Sequence, residues 1–253
     1  MWGWLRRKPK EDFSNAPTDF SFLGVDFHSH LIPGIDDGAS DMHASLELLE
    51  GLQSLGFSGV ITTPHIHGDF YKNSTQNIQA GLKAVQAALP ASGAAGLKLG
   101  VAAEYYLDNY FLEEVLPHGL MTFGDNQVLV EVSMMGWPQN FDQILFAVQA
   151  AGYKPVLAHP ERYPYEQTLK TYERLKERGV QLQMNLLGPL GYYGPGVKAL
   201  ALQLLHAGLY DYAATDLHHD RHLGTLHRMA TGEPALMAKL AGYGFKNIEL
   251  TLV

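Results

Sequence analysis

The sequence predicts a single α/β domain in which helices alternate with the strands of a parallel sheet. The chain has 253 residues, a length that α/β barrels commonly reach as one domain. Short apolar runs alternate with longer stretches of helical periodicity, which is the pattern of βα units. Histidines and acidic residues directly follow most of these apolar runs. Functional side chains take such positions where parallel strands end.

Seven short, β-prone apolar runs are the predicted strands. They cover residues 22–27, 59–62, 97–103, 128–132, 155–158, 180–185 and 210–214. The last segment, 248–253, is either an eighth strand or a docked tail. Residues 1–20 form a basic N-terminal tail that we expect to be flexible, so the folded domain is predicted to span residues 21–253.

Capping residues and apolar periodicity place helices between the runs. Asp41 can cap a helix that carries four leucines at helical spacing and ends at Gly56. The next helix can begin at Asn73 or Ser74. Further helices are predicted over residues 141–151, 165–178 and 195–207. From Leu223 onward, two helical stretches are separated by a Gly-Glu-Pro break.

Composition excludes several classes of protein. The absence of cysteine excludes disulfides, iron–sulfur clusters and a cysteine nucleophile, so any metal ligands must be nitrogen or oxygen. The net charge of −8 argues against a nucleic-acid partner, because such proteins need a basic face. No stretch approaches the roughly 20 apolar residues of a membrane span, and a secretory signal is not apparent. We therefore expect a cytoplasmic protein, whose basic tail with Trp2 and Trp4 could weakly contact an anionic membrane surface.

Histidine and carboxylate side chains are concentrated at the ends of the predicted strands. His28 and His30 end the first run, His65 follows the second, Glu104 the third, Glu131 the fourth, His159 the fifth, and Asp216 and His218 the seventh. The carboxyl ends of the strands form one face in an α/β barrel, so these residues are expected to converge. Imidazole and carboxylate groups bind Zn, Mn and Fe. The pattern predicts a polynuclear metal site and a metal-dependent hydrolase.

The motifs around these residues resemble those of the PHP (polymerase and histidinol phosphatase) superfamily. They are most similar to bacterial protein-tyrosine phosphatases of the CpsB/CapC type. The similar motifs are residues 26–38, 63–65, 103–106, 130–134, 158–163 and 215–218. Glu131 favours this branch, because many PHP relatives have histidine at the corresponding position. The resemblance implies a distorted seven-stranded (β/α) TIM-like barrel.

The resemblance also implies two or three divalent metal ions, with Mn preferred and Fe or Zn as alternatives. The implied ligands are His28, His30, Glu104 and Asp216 for the first metal, Glu104, Glu131 and His159 for the second, and Asp37, His65 and His218 for the third. Glu104 would bridge the first two metals. Asp36 is interpreted as a turn residue that precedes Gly38.

The implied activity is hydrolysis of phosphotyrosine by hydroxide generated from metal-coordinated water. Arg162 and Arg221 are the candidates for binding phosphate, and Asp216 completes the catalytic set through the metal that it would hold. The implied partner is a phosphotyrosine protein, the tail of a bacterial tyrosine kinase in capsule or exopolysaccharide control. Two alternatives remain: a phosphatase of small monoesters such as histidinol or sugar phosphates, and a non-catalytic metal-binding scaffold.

Overall fold

A computed structural model describes residues 12–166, 168–250 and 252 of the chain. The first eleven residues of the predicted tail, including its basic cluster and both tryptophans, lie outside the described residues. Nearer the domain, Phe20 is fully buried and stacks on Phe57 at a centroid distance of 5.9 Å. The chain therefore already packs against the core at this residue.

The described chain contains nine short strands, all paired in parallel. They are β1 (Val25–Asp26), β2 (Gly59–Thr62), β3 (His65–Ile66), β4 (Lys98–Val101), β5 (Glu104–Tyr106), β6 (Gln127–Glu131), β7 (Lys154–Ala158), β8 (Gln181–Asn185) and β9 (Tyr212–Ala214). Three form a sheet of order β1-β2-β4, and six form a sheet of order β3-β5-β6-β7-β8-β9. The protein therefore has a mixed α/β fold with parallel sheets.

Each of the seven predicted runs overlaps a strand, but β3 and β5 lie outside all of them and were not predicted. Thr63 and Pro64 separate β2 from β3, and Pro64 lacks the N–H that would continue the ladder. Hydrogen bonds from Ala102 N to Thr62 O and from Glu104 N to Pro64 O span the interruption. An isolated parallel bridge between Ser29 and Leu217 links the segments that follow β1 and β9. A single closed sheet is not observed among the described residues.

Seven α-helices lie between and after the strands, most of them at the predicted positions. They are α1 (Met42–Ser54), α2 (Thr75–Ala88), α3 (Phe141–Ala150), α4 (Leu169–Glu177), α5 (Pro195–His206), α6 (Asp220–Gly232) and α7 (Pro234–Ala241). Short 3₁₀ turns occupy Leu89–Ala91, Leu116–His118, Pro160–Arg162 and Lys246–Glu249, and a π turn occupies Phe111–Val115. None of the described helices is long and apolar enough to cross a membrane.

The helix ends follow the predicted capping chemistry. The Asp41 side chain accepts a hydrogen bond from Ala44 N at 2.9 Å, and Ser74 rather than Asn73 caps α2. The predicted start of α4 at residue 165 was wrong, because Thr168 N donates to the Glu166 side chain and the helix begins only at Leu169.

The described residues of the C-terminal segment form a docked tail and no eighth strand. Asn247 Nδ2 donates to the carbonyl oxygens of Val25 and Ala213, which ties the segment to β1 and β9. Leu250 is buried in the same cluster as Phe27 and Phe123. The segment therefore helps to close the core at the strand ends opposite the histidines.

Candidate metal centre

The structure brings all nine predicted ligands together at the carboxyl ends of the strands. Their potential ligand atoms form four overlapping sets, and the atoms of each set lie within 4.8 Å of one another. The sets are His30, Asp37, His65 and His218; His28, His30 and Asp216; His28, Glu104 and His159; and His65, Glu104 and Glu131. Residues from seven separate segments of the chain thus meet in one cleft.

Glu104 lies at the centre of the cluster and is completely buried. Its Oε2 is 3.1 Å from His28 Nε2 and 3.2 Å from His65 Nδ1. Its Oε1 is 3.3 Å from His159 Nε2. Each carboxylate oxygen therefore faces a different group of histidines, which is the arrangement a bridging ligand requires.

Asp216 divides its two oxygens between the cluster and a set of donors. Oδ1 is 3.3 Å from His28 Nε2 and 3.6 Å from His30 Nε2. Oδ2 accepts hydrogen bonds from Arg162 at 2.6 Å and from Asn185 Nδ2 at 2.9 Å. One oxygen is thus free to bind a metal while the other fixes the orientation of the carboxylate.

The remaining ligands surround Asp37, whose Oδ1 is 3.5 Å from His65 Nε2 and 3.6 Å from His218 Nε2. His65 also turns its Nδ1 toward Glu131 Oε1 at 3.2 Å. His30 belongs both to this set and to the set with Asp216. His30 and His65 are therefore each shared between two sets, whereas the family pattern implied that only Glu104 is shared.

The donor atoms suit divalent metal ions. His28 Nε2, His30 Nε2 and both carboxylate oxygens of Glu104 are buried and lack a hydrogen-bond partner among the described residues. Buried polar atoms are normally satisfied, so four unsatisfied atoms that converge require an explanation. Imidazole nitrogen and carboxylate oxygen are the ligands of Zn, Mn and Fe, and such ions would satisfy these atoms.

Neighbouring side chains orient two of the histidines that could bind a metal. His28 Nδ1–H donates to Gln183 Oε1 at 3.0 Å, and His30 Nδ1–H donates to Asp36 Oδ2 at 2.9 Å. Each bond leaves the Nε2 lone pair directed into the cluster. Sequence reasoning missed Gln183, although a polar residue within the apolar run of β8 was a usable signal. The sequence-based interpretation of Asp36 as a turn residue was correct, but the contact of Asp36 with His30 was not predicted.

Charge interactions within the cluster shift the pKa values of its histidine and carboxyl groups. Burial would lower the pKa of His28, but the carboxylates of Glu104 and Asp216 raise it to about 9. Burial would likewise raise the pKa of Glu104, whereas His28 and His65 hold it well below its usual value. A metal ion that binds here must displace protons from histidine, so its affinity depends on pH.

The two predicted phosphate-binding arginines occupy different environments. Arg162 lines the cleft, and its guanidinium carbon lies 4.4 Å from the centroid of the Tyr193 ring. Arg221 is exposed in the first turn of α6 and is not among the residues that line the cleft. The geometry therefore brings Arg162 to the metal ligands but not Arg221.

Comparison with known proteins places this site in a family context. Residues 24–232 match the family model for capsular polysaccharide synthesis proteins, CpsB/CapC. The tyrosine-protein phosphatase YwqE of Bacillus subtilis is 27% identical over 201 residues, which are 77% of each chain. CpsB of Streptococcus pneumoniae, also a tyrosine-protein phosphatase, is 25% identical over 77% of this chain and 82% of its own.

A solved structure supports the same fold. It belongs to a set of crystal structures of YwqE and S. pneumoniae CpsB, which are described as metal-dependent tyrosine phosphatases. It superposes on the present structure with a TM-score of 0.70. The match covers 88% of this chain and 94% of the other at 24% identity.

Proposed function

The chain belongs to the CpsB/CapC family of capsular polysaccharide synthesis proteins, and from that premise we propose that it is a metal-dependent phosphatase that hydrolyses phosphotyrosine in a protein substrate. The observation that carries the proposal is the convergence of buried, unsatisfied histidine and carboxylate atoms beside a cleft-lining arginine. Its relatives in Bacillus subtilis and Streptococcus pneumoniae are named tyrosine-protein phosphatases.

The nine residues grouped above would hold two or three divalent ions, with Mn the preferred metal and Fe or Zn as alternatives. Bound metals lower the pKa of coordinated water and neutralise phosphoryl oxygens. Arg162 would bind the phosphoryl group through its guanidinium donors, because only one of its nitrogens is engaged by Asp216 within the described contacts. Arg221 remains a proposed second phosphate ligand that would need its exposed side chain to swing toward the cleft.

The proposed substrate is the phosphorylated tail of a bacterial tyrosine kinase, encountered in the cytoplasm. We also infer that the nine strands form a distorted barrel of seven staves. The bridge between Ser29 and Leu217 and the hydrogen bond from His30 N to Leu217 O support this inference, because they join the first and last strands. Barrel closure would explain why ligands near both ends of the sequence meet.

The proposal is tested by following phosphate release from a phosphotyrosine peptide. Chelator-treated protein should be inactive, Mn should restore turnover, and the double variant His28→Ala/His30→Ala should stay inactive with Mn. His43→Ala is the matched control, because His43 is exposed on α1 with its side chain 83% accessible. Faster turnover of histidinol phosphate than of the peptide would instead favour a small-molecule phosphatase, and metal binding without any hydrolysis would favour a scaffold.

A further inference from the structure

One wall of the metal cleft is aromatic and is built by a short hairpin. His67 and Tyr71 pair across it through two backbone hydrogen bonds of 2.9 and 3.0 Å. The tip of this hairpin carries Phe70, whose side chain is 75% exposed. His67 and Tyr71 line the cleft together with Tyr106 of β5.

The rings of this wall contact one another in sequence. The centroid of the His67 ring lies 3.9 Å from the centroid of the Tyr106 ring. It lies 4.9 Å from the centroid of the Phe70 ring, with the two rings edge to face. Tyr71 stacks on the ligand His65 at 5.4 Å with an interplanar angle of 12°. The wall therefore begins at the metal ligands and extends outward to the exposed ring of Phe70.

The hairpin is fixed in place rather than free. A Cβ atom at Gly68 would lie 2.7 Å from the ring of Tyr110, so the backbone is packed directly against that side chain. Asn73 Nδ2 donates to the carbonyl oxygens of Ile35 and His65, which anchors the base of the hairpin. The hairpin that carries the wall is therefore held by packing and by side-chain hydrogen bonds.

Burial does not explain why residue 70 is aromatic, because the Phe70 side chain is 75% exposed. An exposed phenylalanine at a hairpin tip gains little from burial, and a polar residue would suit a solvent-exposed turn better. Its ring contacts that of His67, which lines the cleft, so Phe70 extends the aromatic surface outward from the metal ligands.

We propose that His67, Phe70, Tyr71 and Tyr106 form an aryl-binding wall that makes the metal cleft prefer phosphate esters of phenols over those of aliphatic alcohols. This inference rests on the proposed phosphatase function and deepens it, because it assigns substrate selectivity to particular residues. Aromatic side chains prefer edge-to-face or offset contacts with another ring, and a phosphotyrosine ring offers one whereas a phosphoserine side chain does not.

The test compares the Mn-loaded wild type with Phe70→Ala on two peptides that differ only in phosphotyrosine against phosphoserine. We expect kcat/KM for phosphotyrosine to fall about 3- to 10-fold, mainly through KM, and kcat/KM for phosphoserine to stay unchanged. Phe146→Ala is the matched control, because Phe146 is 71% exposed on α3 and does not line the cleft. Tyr106→Leu should reproduce the selective loss from the other end of the wall.

A binding measurement separates failure of this inference from failure of the proposed function. Calorimetry with phenylphosphonate and methylphosphonate needs no hydrolysis. Phe70→Ala should weaken the phenyl ligand about 3- to 10-fold and leave the methyl ligand unchanged, even if the wild type proves inactive on the phosphotyrosine peptide. Equal effects on both ligands, or no effect on either, would overturn the aryl-binding wall while leaving the metal centre intact.

Discussion

Replacing Asp36 with asparagine separates two roles that this residue has in the structure. Its Oδ1 accepts a hydrogen bond from Gly38 N at 3.0 Å, and its Oδ2 accepts from His30 Nδ1 at 2.9 Å and from His65 N at 3.1 Å. An asparagine side chain offers one acceptor oxygen and one amide group that only donates. It can keep the turn or the two histidine contacts, but not both, because its amide would face an N–H group at the other position.

We expect Asp36→Asn to weaken Mn binding about 10- to 100-fold, the loss typical when the partner of a ligating histidine is removed. A hydrogen bond to a charged group contributes about 1.5–3 kcal/mol, and roughly 1.4 kcal/mol corresponds to a tenfold change, which gives a similar range. Competition with a chromophoric chelator would measure the affinity. Thermal unfolding of the metal-free protein would report any loss of folding separately.

Asp41→Asn is the matched control for this substitution. Asp41 caps α1 by accepting a hydrogen bond from Ala44 N, and asparagine caps helices about as well as aspartate. This variant should bind Mn like the wild type. If Asp36→Asn also binds Mn as tightly as the wild type, the turn is the only role of Asp36 and the argument for histidine orientation fails.

Three further predictions concern the metal site and the stability of the fold. Gly38→Ala should lower the unfolding free energy by about 1–3 kcal/mol and weaken Mn binding, because a Cβ at Gly38 would lie 2.0 Å from the His30 carbonyl oxygen. Chemical denaturation would measure the loss of stability. Gly136→Ala is the control, because a Cβ at Gly136 would have no atom within 4 Å. Removing the metal should lower the unfolding temperature by about 8–16 °C, equivalent to roughly 4 kcal/mol for a metal at a thousandfold excess over its Kd, and an unchanged melting curve would contradict a built metal site. Asp211→Asn should cost about 2–3 kcal/mol near neutral pH. Burial would raise the pKa of Asp211, but hydrogen bonds from two lysines hold it below its ordinary value of 3.8. The contribution of Asp211 to stability is therefore present above pH 3.8 and is lost as the pH falls through the lower pKa of the folded state. The urea midpoints of the wild type and the variant should converge in acid.

Local patterns were sufficient to predict seven of the nine described strands and the residues that meet in the candidate metal centre. Every predicted apolar run overlaps a strand, and every predicted ligand except Asp37 lies at or just beyond the end of such a strand. The short strand that follows Pro64 was harder to predict, because a proline after a strand is equally compatible with a simple turn. The late start of α4 depends on a side-chain hydrogen bond from Thr168 to Glu166 that helical periodicity does not reveal.

The contacts that orient the ligands could not be read from sequence, because they join distant segments. His28 and Gln183 are separated by 155 positions, and nothing in either local pattern pairs them. Alternating polar residues in β8 indicate only that one face of the strand is polar. Which ligand each of them would support depends on how the strands are arranged around the cleft.

The backbone at two of the candidate ligands gives the strongest case that tertiary contacts shape this site. His159 and Asp216 have φ values of +35° and +52°, in the left-handed region that non-glycine residues seldom adopt. Such a conformation costs of the order of 1–3 kcal/mol and persists only where the surroundings enforce it. Here His159 N donates to Gln183 Oε1 at 3.1 Å, and Asp216 N donates to His28 O at 2.8 Å. Gln183 thus holds the ring of one candidate ligand, His28, and the strained backbone of another, His159, so the strain is sustained by a residue that also directs a donor atom toward the proposed metal centre.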